Sequence, residues 1–271
     1  MLKKLIDFKN PPVVEVVVSA QFAPIPGITS AFAGIFWDRD LCTRDSEWLA
    51  AKFLEAPRIE DVFEERQSLF RPHVIQLDFP GMSGNRIQIV RTGDERMVQL
   101  QGTRFVYNWR KRSGEYPSFA ELLPEFNSLY SLFCNRLRSS GHEPPSENQW
   151  ELAYINHIPK GQLWGQVGDW PSIIKWLSQS EAESPADVTI ETTASSWRFT
   201  LGQNAARLHV QLQHAKTQEK GEEVLAINIT TRGKIDESHS LQSGLLLGHD
   251  SIVTTFSAMT TDLAQGYWGR Q

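Results

Sequence analysis

The sequence predicts an α+β fold of two similar halves, each a curved antiparallel sheet covered by a long helix. Two observations predict it. Several segments alternate apolar and polar residues as half-buried strands do, and two long segments repeat apolar residues at helical spacing. The order strand, helix, strands, long helix occurs in residues 1–145 and again in residues 146–271. Because only a short segment at 147–150 joins the halves, we expect one continuous structure.

Composition is typical of a globular protein with a core of its own. Of 271 residues, 40% are hydrophobic and 22% are charged, and the net charge is −5, which argues against general affinity for nucleic acid. Cys42 and Cys134 are predicted to be buried free thiols. No apolar run resembles a signal peptide or reaches the roughly 18 residues of a membrane span. We therefore expect a cytoplasmic protein that does not contact a membrane.

The first half is predicted to begin with a buried strand at 13–18, a nearly continuous β-branched run. Asp45 is interpreted as the N-cap of a helix that carries Trp48, Leu49, Lys52 and Phe53 at helical spacing. A second short helix is predicted at 59–67. Strands are predicted at 86–90 and 97–101, around a turn at 92–94.

The segment 104–110 alternates strictly, which predicts a strand with one packed face and one solvated face. The packed face carries Phe105, Tyr107 and Trp109. The solvated face carries Arg104, Asn108 and Arg110, with Val106 between them. A capping box, Ser118 with Glu121, then predicts the start of a long helix. Its apolar stripe consists of Phe126, Leu129, Tyr130, Phe133 and Leu137.

The second half is predicted to repeat this plan with a strand at 150–158 and a short helix at 170–177. Four strands follow, at 187–192, 197–201, 207–214 and 223–231, with a hairpin loop at 217–221. The last helix is predicted at 251–267, with Asp250 as its N-cap. Its apolar stripe consists of Ile252, Phe256, Met259, Leu263 and Tyr267.

A local excess of positive charge distinguishes residues 86–112, which carry seven basic side chains against Asp94 and Glu95, a net charge of +5. Three interpretations remain open at this stage. The basic strand could bind single-stranded nucleic acid beside its aromatics, dock an acidic protein partner, or pair with the acidic region 45–65 of the same chain.

Catalytic and metal motifs give little support for an enzyme. His249, Asp250 and Ser251 contain the residue types of a catalytic triad, but triads are assembled from residues distant in sequence. His249 is interpreted as a flank of the last helix. His209 and His214 are an odd number of residues apart on one strand, so their side chains point to opposite faces of the sheet. His157 either hydrogen-bonds a neighbouring loop or lines a pocket. No metal or phosphate-loop spacing occurs, and we predict neither metal nor cofactor.

Four segments together resemble a sporadically distributed family of uncharacterised bacterial proteins. They read Phe-Lys-Asn-Pro-Pro-Val-Val-Glu-Val at 8–16, Val-Gln-Leu-Gln at 98–101 with Asn-Trp-Arg-Lys at 108–111, Tyr-Pro at 116–117, and Tyr-Ile-Asn-His-Ile-Pro at 154–159. The resemblance spans nearly the whole chain and supplies no catalytic residues. The scattered occurrence of such proteins implies an accessory role, such as defence or toxin neutralisation.

These observations leave three functional hypotheses. The first is a non-enzymatic binding protein that holds a protein partner on the sheet surface or in the groove between the halves. The second is a small-ligand receptor or enzyme with a pocket between a sheet and its helix, lined by Tyr107, Trp109 or His157. The third is a single-stranded nucleic-acid binder. The candidate binding residues are Arg104, Asn108, Trp109, Arg110 and His157, and assembly into a homo-oligomer stays open.

Overall fold

A computed structural model describes residues 5–54, 86–112, 115–177, 190–202, 206–217 and 219–271. These ranges form an α+β structure in which nine strands make one antiparallel sheet and α-helices cover one of its faces. The α+β class predicted from the sequence is confirmed. Within the described ranges, none of the helices combines the length and the hydropathy needed to cross a membrane.

The strands and helices are numbered in chain order. The strands are β1 (Val13–Phe22), β2 (Trp48–Leu54), β3 (Arg86–Arg91), β4 (Arg96–Gln101), β5 (Arg104–Arg110), β6 (Glu147–Pro159), β7 (Ala194–Leu201), β8 (Ala206–Lys216) and β9 (Glu223–Lys234). The helices are α1 (Ser30–Phe36), α2 (Cys42–Arg44), α3 (Phe119–Ser139), α4 (Leu241–Met259) and α5 (Asp262–Tyr267). A π-helical segment, Trp37–Leu41, joins α1 to α2.

The sheet order is β2-β3-β4-β5-β1-β6-β9-β8-β7, so β1 and β6 lie at its centre. Their antiparallel ladder runs from the pair Val13 and Asn156 to the pair Phe22 and Glu147. The ladder crosses the predicted boundary at 145–146, and the sheet is therefore continuous across it. The short segment at 147–150 that joins the halves is the first part of β6.

Helix α3 packs its predicted apolar stripe against the β1 and β5 side of the sheet. Ser118 and Glu121 form the predicted capping box, and the helix continues through Pro124. Phe133 lies at the centre of an aromatic cluster, with ring centroids 5.9 Å from Phe22 and 5.2 Å from Phe105. Rings of this size contribute most of the buried area in a core.

Helix α4 lies beside α3 on the same face and approaches the sheet through two glycines one helical turn apart. A Cβ atom at Gly248 would lie 2.6 Å from Thr231 Oγ1 and 2.8 Å from Trp150 Cζ3, and Gly244 faces the same indole. Trp150 is fully buried. The two glycines therefore let the helix backbone pass directly over the Trp150 ring.

The predicted helix from Asp45 is wrong, because this segment forms strand β2. Trp48 is buried whereas Leu49 is 53% exposed, so neighbouring side chains point to opposite faces as in a strand. Pairing of β2 with β3 has overridden the helical spacing. Asp45 is the C-cap residue of α2 instead. The short helix predicted at 59–67 lies outside the described residues.

Three further predictions in the second half are wrong. The helix predicted at 170–177 is a 3-10 helix, Val167–Ser172, with Pro171 inside it. Residues 190–192 are not in a strand, and 187–189 lie outside the described residues. The last helix begins at Leu241, where Ser240 is the N-cap.

The predicted apolar stripe of the last helix is confirmed only in its first part. Ile252, Phe256 and Met259 are buried, whereas Leu263 and Tyr267 are 63% and 54% exposed. The reason is a break at residues 260–261, after which α5 runs as a separate helix. Cys42 and Cys134 are free thiols, half-buried rather than buried.

Substitution of Gly248 by alanine should destabilise the protein, although this change usually stabilises a helix interior. The new methyl group would overlap Trp150 and Thr231, and such overpacking costs about 1–3 kcal/mol. At Gly34, within α1, a Cβ atom would meet nothing within 4 Å, so Gly34→Ala should stabilise by about 0.5–1 kcal/mol. Urea unfolding of both variants measures whether each substitution raises or lowers the free energy of unfolding. Equal effects would show that α4 is not held this close to the sheet.

Candidate functional site

The structure separates the predicted binding residues between the two faces of the sheet. The face opposite α3 and α4, called the polar face below, carries Arg104, Asn108 and Arg110 of β5. Trp109 points to the helix-covered face, is buried, and contacts Tyr116 with ring centroids 5.3 Å apart. The predicted packed set Phe105, Tyr107 and Trp109 is confirmed as core, whereas the predicted solvated face is wrong at Val106 and Asn108, each of which is 6% exposed.

On the polar face, the predicted residues are bonded to polar side chains of the central strands. Glu15 of β1 accepts hydrogen bonds from Asn108 Nδ2 at 2.6 Å and from Arg110 Nε at 3.1 Å. Arg104 donates to Gln21 Oε1 at 2.7 Å and lies 3.8 Å from a Glu151 carboxylate oxygen. Glu151 is also bound by Arg232 of β9 at 3.1 Å. The polar face thus carries its own counter-charges.

Other cations of the basic segment are paired as well, and on different surfaces. Arg91 binds Asp45 at 3.0 Å and Glu47 at 2.7 Å, which is the predicted pairing with the acidic region as far as that region is described. Arg96 reaches the helix-covered face and binds Glu125 of α3 at 2.8 Å. The positive charge is therefore not gathered on one surface.

His157 lies on β6, half-buried, with its pKa lowered by burial against the opposing influence of Glu15. Its backbone N–H donates to the Pro12 carbonyl at 3.0 Å. Glu15 therefore links the environments of Asn108, Arg110 and His157, while Arg104 belongs to the neighbouring Gln21 and Glu151 group.

A cavity of about 250 Å³ lies on the other face, and we call it the apolar cavity. It is bounded by residues 5–13, by the start of α3, by the middle of α4 and by strands β6 and β9. Eleven of its seventeen lining residues are apolar. The polar ones are Asp7, Tyr116, Ser118, Tyr154, Asn156 and His249.

Three polar side chains of this wall form a continuous hydrogen-bonded chain. Tyr116 donates its hydroxyl to the Tyr154 oxygen at 2.9 Å, and the Tyr154 hydroxyl lies 3.1 Å from His249 Nδ1. The His249 ring also stacks on Phe119 at 4.4 Å with an interplanar angle of 12°. When the Tyr154 hydroxyl donates to Nδ1, the neutral imidazole carries its own proton on Nε2.

Burial keeps every member of this chain uncharged near neutral pH. It raises the pKa of Tyr116 to about 12, with a further contribution from the Asp7 carboxylate. It raises the pKa of Tyr154 well above its usual value and lowers the pKa of His249 despite the proximity of Asp250. The chain therefore sets neutral hydrogen-bonding groups into a mainly apolar wall, and these groups bond to one another.

One edge of the cavity is fixed by contact between the two ends of the described chain, an arrangement that we call the clasp. Lys9 and Asn10 donate backbone hydrogen bonds to Gly269 and Trp268 at 3.0 Å each, and Gln271 donates to Asp7 at 2.9 Å. Phe8 packs edge-on against Phe256 with ring centroids 5.8 Å apart. Leu5 and Ile6, just before the clasp, complete the cavity wall.

Sequence reasoning missed this site because it interpreted His249 locally. His249 lies in the middle of α4, so Asp250 is not an N-cap, and the exposed Asp250 does not share the cavity-facing side of the helix. Tyr154 and Asn156 belong to one of the four segments on which the family resemblance rests, and the side chain of Tyr154 lies on the helix-covered face of the sheet. Only the pairing of β1 with β6 shows which residues it meets.

In the part of the chain that the structure describes, no three His, Cys, Asp or Glu side chains lie close enough together to hold a metal ion. Comparison of the chain with models of known protein families finds no match, and comparison with curated proteins finds none either. The resemblance stated from the four segments therefore stays a prediction.

Charge reversal on the polar face should cost stability. In Arg104→Glu with Arg110→Glu, new carboxylates face Glu151 and Glu15 in partly buried positions, and broken pairs of this kind cost on the order of 3 kcal/mol. Thermal and urea unfolding measure the loss. The matched control is Lys111→Glu, an exposed charge beside the same strand, which should change stability by no more than about 0.5 kcal/mol. An unchanged double variant would show that the polar face is free to meet a partner.

Stability should fall as pH drops below about 6.5, the usual histidine pKa, partly because of His249. The folded protein binds the His249 proton less readily than the unfolded chain does, so acid favours unfolding. His249→Gln keeps a group that can accept from Tyr154 and removes the titration. Its unfolding free energy should depend less steeply on pH between 7 and 5, by up to about 1.4 kcal/mol per pH unit.

His157→Gln provides the comparison, because the pKa of His157 is also lowered by burial. This substitution should remove a separate part of the pH dependence of the unfolding free energy, and its effect should add to that of His249→Gln. A wild-type slope in His249→Gln would contradict the buried, neutral imidazole.

Proposed function

We propose that the protein binds a small, largely apolar ligand in the apolar cavity. The observation that carries this proposal is the Tyr116, Tyr154 and His249 chain, which sets a few neutral polar groups into a wall of mainly apolar residues. Ligand sites are typically concave and apolar with a small number of placed polar groups. Of the three hypotheses from the sequence, this is the second, with a different set of lining residues.

The segments on which the family resemblance rests give a second line of support. Phe8, Pro11 and Val13 line the cavity, as do Tyr116, Tyr154 and Asn156. Trp109, from the remaining segment, packs directly behind Tyr116. Residues from all four segments thus meet at one place, as expected if the features that characterise such proteins serve a common ligand site.

A protein or nucleic-acid partner on the polar face has less support. The cations expected to meet such a partner are bonded to Glu15, Gln21 and Glu151. Releasing them would expose partly buried carboxylates, at a cost that a partner would have to offset. We accordingly place the accessory role implied by the resemblance, whether in defence or in toxin neutralisation, at the cavity.

We further propose that residues 1–145 and 146–271 are two related halves. From the centre outwards, the strands after β1 are β5, β4, β3 and β2, and those after β6 are β9, β8 and β7. In each half, the last strand in sequence lies next to the central strand of that half, β5 beside β1 and β9 beside β6. A long covering helix follows each of these last strands, α3 after β5 and α4 after β9. The apolar cavity then lies where the two covering helices meet.

Filling the cavity should abolish ligand binding. N-phenyl-1-naphthylamine, a neutral apolar dye, should bind the full chain saturably and with one site, seen as increased dye fluorescence. Ile252→Trp places a large ring in the cavity and should weaken binding at least tenfold. Leu246→Trp makes a similar change on the exposed side of the same helix and should leave binding unchanged.

A second filling variant guards against misfolding of the first. Ala120→Trp enters the cavity from its exposed rim at the start of α3, so it should fold and should weaken dye binding as Ile252→Trp does. Dye binding of wild-type strength in both filled variants, or no saturable binding to the wild type, would overturn the proposal.

A further inference from the structure

A second cavity, of about 300 Å³, adjoins the apolar cavity and differs from it in chemistry. Leu5, Ile6 and Val253 line both cavities and mark the boundary between them. Beyond this boundary the walls carry Lys175, Ser257, Gln265 and Arg270. We call this space the basic cavity. Together the two volumes fall within the range of roughly 300–1,000 Å³ that is usual for small-molecule sites.

The basic cavity carries an excess of positive charge. Lys175 and Arg270 are its charged lining residues. The carboxylate nearest to both is that of Asp262, 3.5 Å from Lys175 Nζ and 3.8 Å from Arg270 Nη1. Asp262 is outside the lining, and its side chain is 86% exposed. Two cations beside one solvated carboxylate leave about one positive charge for a ligand to match.

A buried hydroxyl beside these cations has no protein partner in the described structure. Ser257 is 8% exposed, and its Oγ makes no hydrogen bond there. Because the Oγ atom itself has almost no accessible surface, Ser257 lines the cavity through its other atoms. The Ser257 carbonyl, by contrast, accepts from Gln265 Nε2 at 2.6 Å.

The guanidinium of Arg270 is held in place before any ligand arrives. Arg270 Nη1 donates to Gln265 Oε1 at 2.6 Å, and the fully buried Gln265 amide is itself fixed by the backbone oxygens of Ser257 and Thr260. Donors fixed in advance lose less conformational freedom when a ligand binds. An arginine and a lysine in one small space are suited to a carboxylate.

We propose that the two cavities form one site for an amphiphile with an unbranched apolar chain and a single carboxylate, the class of medium-chain fatty acids. The chain lies in the apolar cavity, the carboxylate meets Lys175 and Arg270, and Leu5, Ile6 and Val253 enclose the part between. The local excess of positive charge in the basic cavity suits an anionic head group such as a carboxylate. This inference rests on the proposed function and names its ligand.

Calorimetric titration of the full chain with decanoate, decanol and decyltrimethylammonium tests the head group, since the three share a chain and differ in charge. Decanoate should bind at least tenfold more tightly than decanol, and the cationic ligand should bind least. Ile252→Trp should weaken decanoate and decanol alike, because it removes space for the chain. Equal affinities for decanoate and decanol would overturn the carboxylate assignment.

Variants in the basic cavity separate this inference from the proposed function. Lys175→Ala with Arg270→Gln should reduce decanoate affinity to that of decanol and leave decanol binding unchanged. Lys175→Ala alone, at a half-exposed position, should give part of the loss without affecting the fold. The control Lys220→Ala removes an exposed charge in the hairpin after β8 and should change neither affinity.

The outcomes fail in different ways. If decanol and decanoate bind equally and both are lost in Ile252→Trp, the apolar site stands and the carboxylate site does not. If neither ligand binds the wild type, both proposals fail. If decanoate binds tightly but is unaffected by the Lys175 and Arg270 changes, its head group lies elsewhere and the inference is wrong.

Discussion

The hydrogen-bonded ladder between β1 and β6 is the constraint on which the rest of the structure depends. Both strands are interior, so their backbone groups are paired on both sides, and their inward side chains form the floor beneath α3 and α4. Val16, Val18 and Ala20 face Tyr154, Leu152 and Trp150 across the ladder. A shift of one residue would turn every one of these side chains to the opposite face. The ladder also fixes where Tyr154 lies, and Tyr154 is the middle member of the hydrogen-bonded chain in the cavity wall.

The same alternation divides the sheet into two surfaces with different electrostatic characters. On the polar face, glutamates and glutamines of the central strands meet arginines of their neighbours, and the charges are largely satisfied within the chain. On the helix-covered face, hydroxyl and imidazole groups stay neutral because burial disfavours their charged forms. A mainly apolar wall whose hydroxyl and imidazole groups are neutral can accept a ligand without breaking ion pairs, whereas the polar face cannot. This difference is why the cavity, and not the basic strand, is the better candidate for function.

Much of the fold could be predicted because the sequence pattern and the tertiary structure agree. The packed side of β5, the capping box at Ser118 and the stripe of α3 each reflect a local rule that packing did not override. The failures arose where local signals were ambiguous. The spacing of Trp48 and Phe53 fits a helix as well as a strand, and the pairing with β3 decides for the strand. Leu263 has the spacing of the apolar stripe in α4, but that helix ends before Thr260 and Leu263 is exposed. The site was beyond prediction, because Tyr116, Tyr154 and His249 come from separate elements and meet only through long-range pairing.

The clasp has a consequence for how the binding site comes into being during synthesis. The wall of the apolar cavity joins residues near the start of the described chain to α4 and to the segment that pairs with Lys9 and Asn10, more than 240 residues apart along the sequence. Closing so long a loop is entropically costly and slow. The central strands can pair while translation continues, but the pocket cannot close until the last helix has left the ribosome. A nascent chain would therefore hold most of its sheet before this wall of the cavity could form.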